Sequence, residues 1–464
     1  MGATMVILPC LVLAESSKSG DAEVLFERGA ADFKKGDLDS AILNLSKAIE
    51  LDPSNAKTYF TRGSARYDKH DIDGAIADYS KAIALEPTSA VSHNNLGNCM
   101  SEKGNLDDAI ACYSRAIELE PTDSTVFFNR ANVKVRMGKI DDAIADYSQA
   151  IQLAPNDEAA FRNRGNAKVK IGDIEGAIVD YNEAIKLRPS NPMSYINRGV
   201  ARLKRGEVDD AIGDYTKAID LAPADKTAFL NRGIARSKNG DFDGAIADFS
   251  KAAEIDPTQT APLVQRGNAK VRKGDFDGAV ADYSKAVEIE PGNPVIYAGR
   301  GMILVLKGDF GSARVDYESA IQRSKDDVPY ARFTLFLLDA RQKGAPTASD
   351  FGSFVSSLKD GWPKVVGRFL AGDIDESTFL TLASQADAKL VPGQKCEAFY
   401  YAGMIHLLKG DAPSARDLFE QCLATKVTTF TEFDFARAEL ARLNQAKGGK
   451  LNQAGPEKGS CHDS

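Results

Sequence analysis

Residues 158–191 read EAAFRNRGNAKVKIGDIEGAIVDYNEAIKLRPSN, and near copies of this block precede and follow it without a gap. Proline marks the period most clearly, because it recurs with a constant step of 34 residues at Pro53, Pro87, Pro121, Pro155, Pro189, Pro223, Pro257 and Pro291. A period of this length predicts an array of small repeated units rather than a succession of unrelated domains.

Each block predicts two helices of about fourteen residues with a sharp break between them. In the quoted block Gly172 supplies the left-handed C-cap of the first helix, and Asp173 caps the second. Small residues at Gly165 and Ala177 let the two helices approach closely, while Tyr181 fills the remaining space. Because one hairpin cannot bury its apolar face alone, the hairpins must stack on one another.

Two charged positions change together along the array. Almost every block has Arg at its seventh position and Asp at its twenty-third, and the third block has Leu96 and Cys112 there instead. This joint loss predicts a direct, partly buried bidentate ion pair within or between hairpins. The alternative is two unrelated surface preferences.

The full set of recurring positions resembles the tetratricopeptide repeat, with nine copies from residue 22 to residue 325. The resemblance implies an all-α fold, a right-handed α-solenoid of helix hairpins ending in a C-terminal helical cap. It also implies that first-helix residues line a concave face, and that this face binds other proteins or peptide segments.

Amide side chains occupy two rows of that implied face. They are Asn95, Asn98, Asn129, Asn132, Asn163, Asn166, Asn197, Asn231, Gln265 and Asn268. Because a carboxamide carries both a donor and an acceptor, such a row can pair with a peptide backbone of any sequence. The row resembles the asparagine ladder in the repeat domain of O-linked N-acetylglucosamine transferase. The alternative is that asparagine is simply the common residue of this repeat and bonds locally.

A basic row runs beside the amides at Arg136, Lys170, Lys204, Lys238 and Arg272. It favours an acidic segment or a C-terminal carboxylate as the ligand. The alternative is an ordinary solvated face. Nucleic acid is disfavoured, because 58 Lys and Arg against 66 Asp and Glu leave a net charge of -8.

The repeat register ends after residue 325. The pattern predicts an irregular helical region over 326–395, a repeat-like hairpin plus a terminal helix over 396–446, and a disordered tail over 447–464. Short segments from Trp362 to Leu440, among them 369–373, 399–403 and 430–433, resemble the end of the bacterial envelope lipoprotein NlpI family. That resemblance implies a periplasmic adaptor, not an enzyme, that brings peptidoglycan hydrolases to a processing protease.

Residues 1–21 are predicted to form an apolar N-terminal segment that acts as a signal peptide and linker. The run MVILPCLVLA, from Met5 to Ala14, has the length of a signal-peptide core, about half the ~20 residues that a membrane span needs. No Lys or Arg precedes it, and Cys10 lacks a good lipobox. We therefore expect an exported protein, and a cytoplasmic co-chaperone or assembly factor is the alternative.

Catalytic, metal and cofactor motifs are missing from the sequence. With 4 His, 6 Cys and no CxxC pair, it offers no zinc cluster, and it contains no P-loop, GxSxG or HExxH motif. Cys396 and His406 would lie about 15 Å apart along one helix, too far for proton transfer. Whether Cys396 and Cys422 form a disulfide is left undecided. Counted from Asp411, their positions along the two helices of the hairpin differ by ~6 Å, which strains the Cα separation that a disulfide allows.

Overall fold

The computed structural model describes residues 9–326, 328–343, 348–385, 387–428 and 430–451. The regular secondary structure of these residues consists of 25 α-helices. They divide into two compact units, residues 1–223 and 224–464. The predicted all-α fold built from consecutive repeat hairpins, an α-solenoid, is confirmed.

Six helix pairs make up the first unit. Their bounds are α1 Pro9–Lys34, α2 Leu38–Leu51, α3 Ala56–Asp68, α4 Ile72–Leu85, α5 Ala90–Lys103, α6 Leu106–Leu119, α7 Ser124–Arg136, α8 Ile140–Leu153, α9 Glu158–Lys170, α10 Ile174–Leu187, α11 Pro192–Arg205 and α12 Val208–Leu221. Helix α1 continues past residue 21 without a break. Residues 1–8 of the predicted N-terminal segment lie outside the described residues, and no described helix is both long and apolar enough to cross a membrane.

The second unit holds three more hairpins and the cap. The hairpins are α13 Lys226–Lys238, α14 Phe242–Ile255, α15 Thr260–Lys273, α16 Phe276–Ile289, α17 Pro294–Lys307 and α18 Phe310–Arg323. The cap comprises α19 Pro329–Lys343, α20 Ala348–Ser357, α21 Trp362–Ala371, α22 Glu376–Ser384, α23 Val391–Leu408, α24 Ala412–Ala424 and α25 Thr431–Leu451. Residues 452–464 of the predicted disordered tail lie outside the described residues.

The hairpin of α9 and α10 shows why the repeat needs its small residues. Gly172 has φ 84°, in the left-handed region that favours glycine, and the Asp173 carboxylate accepts a hydrogen bond from the Gly176 amide at 2.9 Å. A Cβ atom placed on Gly165 would lie 2.7 Å from the Tyr181 ring. The ring and the α9 backbone are therefore in direct contact, and Tyr181 is fully buried.

The predicted ion pair is confirmed within each hairpin that carries it, and its arginine also reaches the preceding hairpin. Arg164 donates from Nε and Nη2 to the Asp180 carboxylate at 2.9 and 2.6 Å, and from Nη1 to Ser148 of the preceding repeat at 3.0 Å. Lys168 adds a second cation 2.8 Å from the buried Asp180. The same bidentate pair recurs as Arg62–Asp78, Arg130–Asp146, Arg198–Asp214, Arg232–Asp248, Arg266–Asp282 and Arg300–Asp316.

The third repeat replaces all three charged residues at once. Leu96, Met100 and Cys112 occupy the places that Arg164, Lys168 and Asp180 hold two repeats later. A buried carboxylate needs its cations and the cations need the carboxylate, so removing the whole set leaves no uncompensated charge. This explains why the sequence loses the residues together.

Replacing Asp180 by Ala should lower the stability of the α9–α10 hairpin by about 3 kcal/mol, because Arg164 and Lys168 lose their counter-charge in a half-buried site. The matched control is the triple variant Arg164→Leu, Lys168→Met, Asp180→Cys, which copies the third repeat and should cost less than about 1 kcal/mol. Native-state hydrogen exchange of the α10 amides measures both. A triple variant as unstable as Asp180→Ala would contradict this account.

In the cap, aromatic side chains replace the regular small–large pattern. Phe333, Phe379, Tyr401 and Phe419 are fully buried, and α19 is joined to α25 by a bidentate ion pair between Arg341 and Glu439. The predicted repeat-like hairpin is present as α23 and α24. Its glycine, Gly403, stands against Phe419 as a repeat glycine stands against its tyrosine.

The expectation that Cys396 and Cys422 lie at different heights along their two helices is wrong. Their Sγ atoms lie 3.2 Å apart in a fully buried contact between α23 and α24, and both are thiols. The turn is centred on Gly410 rather than Asp411, and from there the two cysteines are nearly equidistant along the chain. His406 points elsewhere, since its ring nitrogens meet Asp411 at 2.9 Å and Glu376 at 2.8 Å.

Mild oxidation should therefore join Cys396 to Cys422 and stabilise the cap. Closing a loop of 26 residues is worth about 3 to 4 kcal/mol through the unfolded chain. Mass spectrometry of a non-reduced digest identifies the link, and urea unfolding with and without reductant measures the gain. Cys422→Ser is the control, and an oxidised wild type that unfolds like this variant would contradict the expectation.

Candidate peptide-binding surface

Six of the predicted asparagines form one continuous set on α5, α7, α9 and α11 of the first unit, which we call the amide surface. They are Asn98, Asn129, Asn132, Asn163, Asn166 and Asn197, and all six are half-buried. Each hairpin contributes from its first helix, so the set advances by one repeat at a time.

Asn132 shows how these side chains are held. Its Oδ1 accepts one hydrogen bond from the Tyr147 hydroxyl at 2.6 Å and a second from Nδ2 of Asn163, in the next repeat, at 3.1 Å. Burial raises the pKa of Tyr147 to about 12, so this hydroxyl stays a donor at neutral pH. Both lone pairs of the Asn132 oxygen are thereby used inside the protein.

The same arrangement occurs one repeat before and one repeat after. Asn98 accepts from Tyr113 at 2.8 Å and from Asn129 at 3.3 Å. Asn166 accepts from Tyr181 at 2.8 Å and from Asn197 at 2.9 Å. The amides therefore bond to one another along one edge. This is the local hydrogen bonding that the sequence analysis gave as the alternative to ligand binding.

In five of the six amides the opposite edge has no side-chain partner among the described residues, whereas Oδ1 of Asn163 accepts a hydrogen bond from Arg162 Nη1 at 3.3 Å. Nδ2 of Asn98, Asn132 and Asn166 donates to no other side chain there, and Oδ1 of Asn129 and Asn197 accepts from none. Internal bonds fix the orientation of the carboxamides and leave donors and acceptors free. That free edge has the polarity of a peptide main chain.

Asn95 stands apart from this set. Its Nδ2 lies 3.5 Å from the Tyr79 hydroxyl, and together with Asn98 it lines a cleft of about 250 Å³. Phe33 and Tyr67 form the apolar wall of that cleft. Sequence reasoning missed these two aromatics, although their shared place in the first two repeats could have indicated them.

The amides of the second unit make fewer contacts. Asn268 accepts a hydrogen bond from Tyr283 at 2.8 Å, as its counterparts do from their tyrosines. Among the described side chains none bonds to the amide of Asn231 or Gln265. For Gln265 the reason is visible in the sequence, because Ile234 stands where the preceding repeat would carry the accepting asparagine.

The predicted basic residues lie at the C-terminal ends of the first helices α7, α9, α11, α13 and α15. Arg136 donates from Nη1 to the Ser101 carbonyl at 2.9 Å and to its hydroxyl at 2.7 Å. The other members are exposed, and no carboxylate in the described part of the chain pairs with them: Lys170, Lys204, Lys238 and Arg272. These four cations remain available to an acidic ligand.

Comparison with known proteins identifies the repeat. Models described as TPR repeat match residues 29–70, 63–104, 131–172, 165–206 and 267–308. Models described as tetratricopeptide repeat match residues 90–123, 196–260 and 112–145. The chain belongs to the tetratricopeptide repeat proteins. That fold is typically a non-catalytic scaffold that binds proteins or peptides.

Several solved structures share part of this architecture. A tetratricopeptide repeat protein from Parabacteroides merdae is 20% identical, with a TM-score of 0.43 over 54% of this chain and 98% of its own. YrrB, a TPR protein with an unusual peptide-binding site, is 23% identical, with a TM-score of 0.36 over 40% and 95%. MamA from Desulfovibrio magneticus is 24% identical, with a TM-score of 0.35 over 36% and 95%. The family assignment rests on the repeat models alone.

Proposed function

We propose that this tetratricopeptide repeat protein is a non-catalytic adaptor that binds an extended segment of another protein along the amide surface. The observation that carries the proposal is the fixed orientation of the six asparagines. All six are bonded internally along one edge, and in all but Asn163 the other edge is free of side-chain partners among the described residues. A partner's main chain supplies donors and acceptors to that edge whatever its sequence. Lys170 and Lys204, which lie beside it unpaired with any described carboxylate, favour acidic segments or a C-terminal carboxylate.

The proposed setting is the cell envelope, where the adaptor would link hydrolases to a protease. The resemblance of the cap to the NlpI family and the apolar run from Met5 to Ala14 support this setting. The alternative is a cytoplasmic co-chaperone that uses the same surface. The two settings differ in the expected state of Cys396 and Cys422, whose Sγ atoms lie 3.2 Å apart, because an oxidising compartment would join them and the cytoplasm would keep them reduced.

Replacing Asn129, Asn163 and Asn197 together by Ala should weaken partner binding by about ten- to a hundredfold, since each lost hydrogen bond is worth about 0.5–1.5 kcal/mol. The fold should survive, because Asn98, Asn132 and Asn166 keep their tyrosine donors. Cross-linking and mass spectrometry identify the bound protein, and titration with it measures affinity. The control replaces Gln149 and Gln152 on α8 by Ala. Equal affinities of the triple variant, the control and the wild type would contradict the proposal.

The mature N-terminus distinguishes the two settings. An exported protein should have the intact mass of a chain that begins at Glu15, because cleavage removes the apolar run. A cytoplasmic protein should keep the apolar run from Met5 to Ala14 and reduced cysteines. Intact-mass spectrometry of the protein purified from its own cells decides this, and a retained apolar run would contradict export by a cleaved signal.

A further inference from the structure

The amide row stops at the ninth repeat, where the surface becomes apolar. Gly299 and Met302 occupy the two places that hold asparagine in the fifth repeat, Asn163 and Asn166. Gly299 lets the Tyr283 ring lie directly against the α17 backbone, since a Cβ atom there would clash with the ring. Gly299, Met302 and Tyr283 together line a space beside α17.

That space is a pocket of about 560 Å³, which we call the cap pocket. Its apolar wall includes Val295, Met302, Tyr317, Tyr330, Phe430 and Phe435, contributed by α17, α18, α19, α25 and the residue before α25. Val295 stands at the rim with 74% of its surface exposed. A pocket of this size and lining suits a large aliphatic or aromatic side chain.

Two acidic side chains line the same pocket. Glu397 is 3% exposed and accepts a hydrogen bond from the Trp362 indole at 3.0 Å, and Glu432 is 7% exposed and accepts one from Tyr401 at 3.1 Å. Within the described part of the chain neither forms an ion pair with Lys or Arg. The contrast is Glu439 of the same cap, equally buried, which pairs with two arginines.

We propose that the cap pocket binds an extended peptide segment in which a large apolar residue is followed by lysine or arginine. The apolar side chain would fill the wall beside Met302, and the cation would reach the carboxylates of Glu397 and Glu432. Charge complementarity carries this choice: two acidic side chains line the pocket without a cation among the described residues, and an incoming Lys or Arg would supply the kind of partner that Glu439 has in its two arginines. The proposal is independent of the amide surface, which lies in the other unit.

The pH dependence of binding follows from the groups around Glu397. Tyr330 of α19, Trp362 of α21, Tyr401 of α23 and Glu432 of α25 face it, while Tyr283 and Tyr317 add the pocket's other titratable side chains from α16 and α18. Burial and the neighbouring Glu432 raise the pKa of Glu397 to about 8, and burial also raises the pKa of Glu432. A cation binds the ionised form, so its affinity should increase as pH rises through about 8.

The test uses three fluorescein-labelled Gly/Ser peptides of twelve residues that carry one central Leu-Lys, Leu-Gln or Leu-Glu pair. Fluorescence anisotropy with the full chain should show the Leu-Lys peptide binding about tenfold tighter than the Leu-Glu peptide at pH 8.5, with a smaller difference at pH 6.5. Equal affinities of the three peptides, or no binding by any, would overturn the proposal.

Three variants locate the effect. Glu397→Gln with Glu432→Gln keeps acceptors for Trp362 and Tyr401 and should abolish the preference for Leu-Lys and its pH dependence. Val295→Lys places a positive charge at the exposed rim, where folding is unaffected, and should weaken Leu-Lys binding about tenfold. The surface variant Glu288→Gln should behave as wild type. A preference for Leu-Lys that persists in both pocket variants would refute the assignment. So would a dimer of the chain that Val295→Lys dissociates, since that would assign the pocket to a second copy.

Discussion

The contact between the Arg at the seventh position and the Asp at the twenty-third, present in seven of the nine repeats, fixes the register on which the amide surface depends. Arg164 bonds to Asp180 within its own hairpin and to Ser148 in the hairpin before it, so helices of two repeats are joined at one guanidinium. In that register Asn163 comes within hydrogen-bond distance of Asn132. The orientation of the amide surface is thus a consequence of the ion pairs, because a shifted hairpin would separate the asparagines.

Features that repeat along the chain could be predicted, since periodicity reports which side chains share an environment. The helix hairpins, the glycine–tyrosine contact and the Arg–Asp pair all follow from recurring positions. Which edges of the asparagines are free could not be predicted in this way, because that depends on the distance between neighbouring repeats. Lys168 was missed as the second partner of Asp180 because its position varies: it is Lys in some repeats and Arg in others, Met100 in the third and Leu304 in the ninth.

The cap was predicted as a series of helices but not as a site. Its contacts join residues that are far apart in sequence, such as Trp362 with Glu397 and Arg341 with Glu439. These residues do not recur at a regular spacing, so the sequence pattern does not predict their contacts. Counting residues from a turn also misjudged the contact between Cys396 and Cys422, since an error of one residue in the turn shifts both helices. The cap pocket differs chemically from the amide surface. The cap pocket is apolar and acidic, whereas the amide surface is neutral and bordered by cations.

Site-specific photocrosslinking tests most directly whether the amide surface binds another polypeptide. A benzophenone amino acid would replace Lys170, beside the amide surface, or Val179, which is 60% exposed on α10 of the same repeat. Irradiation of cells that produce each variant should join a partner protein to the chain at position 170 and not at position 179. A partner joined at position 179 with none at position 170 would contradict the account.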